Sequence, residues 1–236
     1  MRNMWIIARR ELGSYFTSPI AYIVVAALIA LTSNFFSLIL FFSREATLRY
    51  LFSNLITIML FVAPILTMRL LSEEQRSGTI ELLLTSPVND WEVVWGKWLA
   101  SFILWLFILL LTMIYPFILK VYGSPDWGPI WSGYLGLMLM GGALLALGVF
   151  TSSLTQNQIV AAVLGVVITI GLWIIGGGSQ LLSGPLASFL NYLALSNHIN
   201  DFTQGIIDIK NIVYLLSMIF GSLYIATRVV EMRRWR

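Results

Sequence analysis

The chain of 236 residues is 58% hydrophobic and only 11% charged, far from the roughly 25% charged residues of soluble domains, so it reads as an integral membrane protein. Its net charge of +3 comes without a basic stripe interleaved with aromatics, which argues against nucleic acid as a partner. Cysteine is absent, and disulfides, thiolate catalysis and cysteine-ligated metals go with it.

Residues 3–16 place Met4, Trp5, Ala8, Leu12, Tyr15 and Phe16 on one side at helical spacing, with Arg2, Asn3, Arg10, Glu11 and Ser14 opposite. This predicts a helix lying in the membrane interface, although Ile6 and Ile7 break the pattern. The first apolar run is too long for the h-region of a cleavable signal and should itself direct insertion. Ser18-Pro19 is a favourable helix start, Ser at the N-cap and Pro at N1, and it opens a first span over 20–42. Thr32, Ser33, Asn34 and Ser37 should turn toward the bundle or the outer interface. A second span over 51–70 contains Pro64, where a kink is expected.

Ser72 to Pro87, SEEQRSGTIELLLTSP, is a polar stretch between two apolar runs. Ser72 with Gln75 three residues on has the form of a capping box, Glu73 and Glu74 would sit by the positive end of the helix dipole, and Pro87 would stop the helix. Residues 72–87 therefore read as a bounded helix with Glu74, Gln75 and Arg76 solvated. Its Ile80, Leu83 and Leu84 form a face able to enter a partner's groove. Gly78 inside such a helix would cost about 1 kcal/mol relative to Ala, which close approach of another backbone would explain.

Asn89 and Glu92 make a second capping-box start for a helix that runs through Lys97 into a third span over 98–119, with Pro116 bending its far end. A turn-rich loop over 122–129 leads to a fourth span over 130–152, rich in small residues that allow close helix packing, within the chain or against another copy. The fifth span, 159–175, should end at the run Gly176 to Gly178. Residues 179–210 are too polar for a full span and suggest short outer helices or a re-entrant hairpin before the last span, 211–230. The expected fold is an all-α integral membrane domain over 1–236. It has six transmembrane helices, an N-terminal interfacial helix and a polar helix between spans 2 and 3.

Six spans place both termini on one side. The segments on that side hold Arg2, Arg9, Arg10, Arg69, Arg76, Lys97, Arg228, Arg233, Arg234 and Arg236, against Arg44, Arg49, Lys120 and Lys210 on the other, so the termini and the Ser72 helix are expected in the cytoplasm. No ionisable residue falls in the middle of a span, where proton- or ion-coupled transporters keep their relays, and no P-loop motif is present. Transport would then draw on an ATPase in another polypeptide. An intramembrane hydrolase built on Ser179 and His198, the only histidine, lacks any motif that orders a base against the nucleophile. One histidine is also too few ligands for a catalytic zinc. The residues read instead as a polar turn and a hydrogen-bonding group of the outer segment.

Glu73, Glu74, Arg76, Gly78, Thr79, Ile80, Glu81, Leu83, Leu84 and Thr85, between the second and third spans, resemble the cytoplasmic coupling segment of ABC-2 type transporter permeases. The outer residues Leu195-Ser196-Asn197-His198 with Phe202, Gly205 and Asp208, leading into a span that ends Arg233-Arg234-Trp235, are similar to the GldF-like, gliding-motility-type branch. That branch often has Pro where Asn197 stands. The resemblance implies a permease, not an enzyme, with no cofactor of its own. ATP and Mg would be held by two separate ABC ATPase subunits, and a second permease chain, identical or related, would complete the path. It also implies a bacterial inner-membrane location, export as the direction, and room for an accessory extracytoplasmic protein. In this picture the ATPases push on Glu73 to Thr85, with Glu81 making a specific polar contact and Gly78 permitting close approach. The alternative is a non-transporting membrane scaffold on which the ATPase cycle does mechanical or assembly work.

Overall fold

A computed structural model describes residues 2–43, 47–78, 88–179 and 184–233. The regular structure among them is helical: α1 (Arg2–Thr17), α2 (Pro19–Ser43), α3 (Arg49–Thr67), α4 (Arg69–Ser77), α5 (Asp90–Thr112), α6 (Ile114–Tyr122), α7 (Trp127–Leu154), α8 (Gln158–Ser179), α9 (Pro185–Leu193), α10 (Leu195–Thr203) and α11 (Ile209–Arg233). Among the described residues, six stretches are long and apolar enough to cross a membrane: Ala21–Phe42, Arg49–Ser77, Asp90–Tyr122, Trp127–Leu154, Gln158–Gly177 and Ile209–Met232. The all-α membrane architecture expected from hydropathy is thus the one adopted.

Helix α7 is the hub, packed against α3, α5, α8, α10 and α11, and 78% of its most apolar stretch is buried. Its small residues are notches for side chains of the same chain. A Cβ on Gly141 would lie 2.0 Å from Nε1 of Trp105, and one on Gly148 would lie 2.0 Å from Oγ1 of Thr67. Small residues let helices approach closely where hydrophobic driving force between spans is weak. Asp126 opens α7 by accepting a hydrogen bond from the Gly128 N–H at 3.1 Å.

Two prolines leave carbonyls without their helical donor, and each carbonyl is answered from another helix. Pro64 cannot donate to Leu60 O, and the Thr169 hydroxyl of α8 donates to it at 2.9 Å. Pro116 cannot donate to Thr112 O, where the helix breaks at Met113 into α5 and α6, and the Tyr134 hydroxyl of α7 donates there at 2.9 Å. On α2, Thr32 is buried while Ser33 and Asn34 are exposed, and the Thr32 and Ser33 hydroxyls meet that of Tyr115 at 3.1 and 2.9 Å.

Helix α8 runs through the glycine run Gly176 to Gly178 as far as Ser179, while its apolar stretch ends inside that run, at Gly177. Gly176 is a contact point: a Cβ there would lie 2.7 Å from that of Ala194, between α9 and α10. Helix α1 forms, and its packed face shares Met4, Ala8, Leu12 and Tyr15 with the expected one but takes Ile7 and Glu11 in place of Trp5 and Phe16. Its buried stripe is Ile7, Ala8 and Tyr15, with Met4, Glu11 and Leu12 half-buried, while Trp5 and Phe16 are 55% and 45% exposed. The stripe 4, 7, 8, 11, 12, 15 follows helical periodicity more closely than the one that omits Ile7. It rests on the start of α5 at Gly96, where a Cβ would come within 2.8 Å of Met4 O.

Candidate functional site

The polar stretch after the second span is not a separate helix with its own cap. Helix α4 follows α3 across a turn at Met68, and its first backbone N–H groups would be orphans in a buried position. Ser152, at the end of α7, supplies the cap from a distance. Its Oγ accepts from the N–H of Leu71 and of Ser72, each at 3.1 Å, and donates to Met68 O at 2.8 Å. The capping box expected from Ser72 and Gln75 is therefore not made. The buried Ser72 hydroxyl donates back to Met68 O, and Gln75, buried and not solvated, donates through Nε2 to Ser153 O at 3.0 Å. Glu73 and Glu74 fall in the middle of α4 and not in its first turn.

Glu74 belongs to a knot of four charges. Lys97, whose side chain is 1% exposed, donates to Oε1 of Glu74 at 2.8 Å and to Oε1 of Glu11 at 3.0 Å. Arg10 lies 3.1 Å from the same Glu11 oxygen and 3.2 Å from the same Glu74 oxygen. Two cations and two carboxylates thus join α1, α4 and α5. Burial raises the Glu11 pKa, but the Lys97 charge and hydrogen bonds from Lys97 and Arg10 outweigh it, leaving the carboxyl below its ordinary value. Next to the knot, Tyr15 donates to Leu66 O at 2.9 Å and its ring carries the Arg69 guanidinium at 5.4 Å. Burial raises the Tyr15 phenol pKa.

Glu73 and Arg76 are exposed on α4. Gly78 ends the helix in a left-handed conformation, φ 71°, and a Cβ there would meet nothing within 4 Å. Its glycine answers to backbone conformation, and not to close approach among the described residues. Thr79, Ile80, Glu81, Leu83, Leu84 and Thr85 lie outside the described residues, as does the expected stop at Pro87. The start of α5 is as expected, with Glu92 accepting from the Asn89 N–H at 3.3 Å.

At the opposite membrane face, each residue of the outer motif holds one part of the cap. His198 is buried, stacks on Tyr214 with ring centres 3.9 Å apart, and bonds Tyr192 O and Asn211 Oδ1, each at 2.7 Å. Phe202 fills the notch at Gly136, and its carbonyl accepts from Ser132 at 2.6 Å. Gly205 takes φ 91° beside Pro129, where the chain turns after α10. Asp208 opens α11 by accepting from the Lys210 N–H at 2.9 Å. Asn197 fastens the α9–α10 turn through Nδ2 to Asn191 O at 2.9 Å. Ser179 is the last residue of α8, and its side chain lies outside the described residues.

The family model described as ABC-2 family transporter protein matches residues 5–231. The chain belongs to the ABC-2 transporter family. No curated protein matches it significantly. An ABC-2 chain is the membrane subunit of an ABC transporter and works with an ABC ATPase subunit that is a different polypeptide. The ABC-2 family match spans both the α4 knot and the outer cap.

Sequence reasoning passed over the residues that hold α4 in this ABC-2 chain. Lys97 was a point on the helix leading into the third span and a count in the charge balance, Glu11 stood on the polar face of α1, and Ser152 was only the end of the fourth span. The periodicity of Met4, Ile7, Ala8, Leu12 and Tyr15 would have brought Glu11 to the buried side. Nothing local marks Lys97 or Ser152, whose partners are 23 to 86 residues away.

Proposed function

We propose that this ABC-2 chain is the permease of a bacterial exporter, driven by two separate ATPase subunits that hold ATP and Mg and press on α4 and the segment through Thr85. The observation that carries the reading is the knot of Arg10, Glu11, Glu74 and Lys97, because a load applied to α4 reaches the middle of α1 and the first turns of α5 through it. Ser152 and Ser153 pass the same load to α7, the central helix. Glu73, Arg76 and the residues beyond Gly78 are then the contact surface, with Glu81 as the specific polar contact. A second permease chain, identical or related, would cover α2 and α8, whose most apolar stretches are only 17% and 22% buried within one chain.

The ten-to-four distribution of Lys and Arg supports a cytoplasmic side for α1, α4 and both termini, in an inner-membrane protein. The outer motif supports the GldF-like branch and offers a rigid platform to an accessory extracytoplasmic protein. Single cysteines test the orientation: one at Ser77 is labelled only from the cytoplasm and one at Ser188 only from outside. The coupling role is tested with the purified complex in vesicles. Glu81→Lys should fold and insert but bind the ATPase weakly, or bind it without stimulated hydrolysis and export, while Arg236→Ala behaves as wild type. Normal binding, hydrolysis and export in Glu81→Lys would refute Glu81 as the contact. ATP hydrolysis that never moves a cargo would favour the scaffold role.

A further inference from the structure

Helix α9 has no buried residue, and its C-terminal end is held by side-chain donors from the elements that follow it. The last carbonyls of a helix have no partner within it. Here Asn197 donates to Asn191 O at 2.9 Å, His198 meets Tyr192 O at 2.7 Å, and Tyr214 donates to Leu193 O at 2.6 Å. Of these three residue types, only histidine ordinarily changes charge between pH 5 and pH 8.

The hydrogen bonds around His198 set its proton count. Nε2 faces the Tyr192 carbonyl, which can only accept. Nδ1 faces Oδ1 of Asn211 at 2.7 Å. The far end of that amide fixes its orientation: Asn211 Nδ2 donates to Oδ2 of Asp201 at 2.7 Å, and the reversed amide would set two acceptor oxygens against each other. Both ring nitrogens therefore stand opposite acceptors, and both bonds form together only when the ring carries two protons. The surroundings suit that cation. The ring stacks on Tyr214 with centres 3.9 Å apart and planes 15° apart, it sits at the negative end of α9, and Asp201 answers its charge through the Asn211 amide.

Among the described residues, the other ionisable groups facing this row are Tyr192 of α9, edge-on to the ring at 5.4 Å, Tyr214 of α11 and Asp201 of α10 itself. Helix α8 carries no ionisable residue, and Tyr134 of α7 donates to Thr112 O. Arg49 and Tyr50 at the start of α3 and Lys210 at the start of α11 are exposed, and Asp208 accepts from the Lys210 N–H. A cavity of about 390 Å³, lined by His198, Asp201 and Asn211 among others, gives the row access to solvent.

We propose that the second proton on His198 is a latch on the cap. With it, α9 is tied to α10 and α11; without it, one ring nitrogen presents a lone pair to an oxygen 2.7 Å away and the end of α9 is released. Rising pH therefore opens the cap. The latch works whichever compartment the cap faces, and its outer placement decides only whose pH it reads.

His198 is the only histidine, so the full chain labelled with ¹⁵N-histidine and purified without a histidine tag reports a single ring by NMR. In nanodiscs titrated from about pH 5 to pH 9, both ring nitrogens should carry protons at the acid end. Hydrogen exchange of the α9 amides, corrected for its intrinsic pH dependence, should rise about tenfold or more over the range in which the ring loses a proton, the scale of one hydrogen bond to a charged group. His198→Phe keeps a ring against Tyr214 but has no donor, and its α9 should exchange fast at every pH. Asp201→Asn keeps an acceptor for Asn211 and removes the counter-charge, so it should move both the ring titration and the exchange step to lower pH, which a residue that merely braces the fold would not do. A ring with one proton throughout, α9 exchange without a step where the ring titrates, or a titration unmoved in Asp201→Asn would overturn the proposal.

Discussion

Lys97→Met removes the one cation buried inside the α4 knot while keeping much of the side-chain volume. Nζ lies 3.0 Å from Glu11 and 2.8 Å from Glu74, so its loss leaves two carboxylates facing each other across the space it filled. Breaking a buried ion pair from one side costs about 3–5 kcal/mol. Here Glu11 and Glu74 keep 16% and 14% exposure and Arg10 remains within 3.2 Å of both, so the expected cost is lower, about 2–3 kcal/mol. For a chain of this size that is a drop of about 5–10 °C in Tm. The second readout is a cycle with Glu74→Gln. Removing the facing carboxylate should recover part of the loss, with a coupling of about 1–2 kcal/mol. ATPase stimulation should fall in Lys97→Met more than in a variant of equal Tm altered elsewhere in the bundle. A Tm within about 2 °C of wild type, or effects of the two substitutions that simply add, would refute the view that the knot holds α4 to α1 and α5.

Thr169→Val should leave Leu60 O without a donor and cost about 1–2 kcal/mol; in a Pro64→Ala background, where the helix N–H returns, the same change should cost at most half as much by thermal unfolding. The depressed Glu11 pKa sets the pH response of α1 docking. Below the ordinary value of 4.5 the unfolded carboxyl binds a proton before the folded one does, so stability present at neutral pH is lost as pH falls from about 4.5 through the folded pKa. Tm measured from pH 6 to pH 3.5 should fall, and Glu11→Gln should flatten that slope. At Gly78, φ 71° predicts that Val destabilises the end of α4 by about 1–2 kcal/mol, while Asn, which tolerates the left-handed region, stays near wild type in Tm.

What the sequence determined by itself are features written within a few residues or along one helix. A run of about 20 apolar residues spans a bilayer whatever its neighbours are, so the six spans and the all-α class were legible. So were the Pro19 start of α2 and the Glu92 reach to Asn89, because each depends on bonds within a turn or two. The α4 region was legible as polar and helical over Ser72 to Ser77, but not in where that helix starts, in its stop at Gly78, or in how it is held. Its orphan N–H groups are capped by Ser152, 80 residues from Ser72, and not by Ser72 itself. Lys97 finds its counter-charges on two other helices, and Leu60 O finds a donor 109 residues on. The physical reason is common to all three. In a low-dielectric bundle every buried donor, acceptor and charge must be matched, and the matching group comes from whichever helix passes nearby, a fact of packing with no signature in the local sequence.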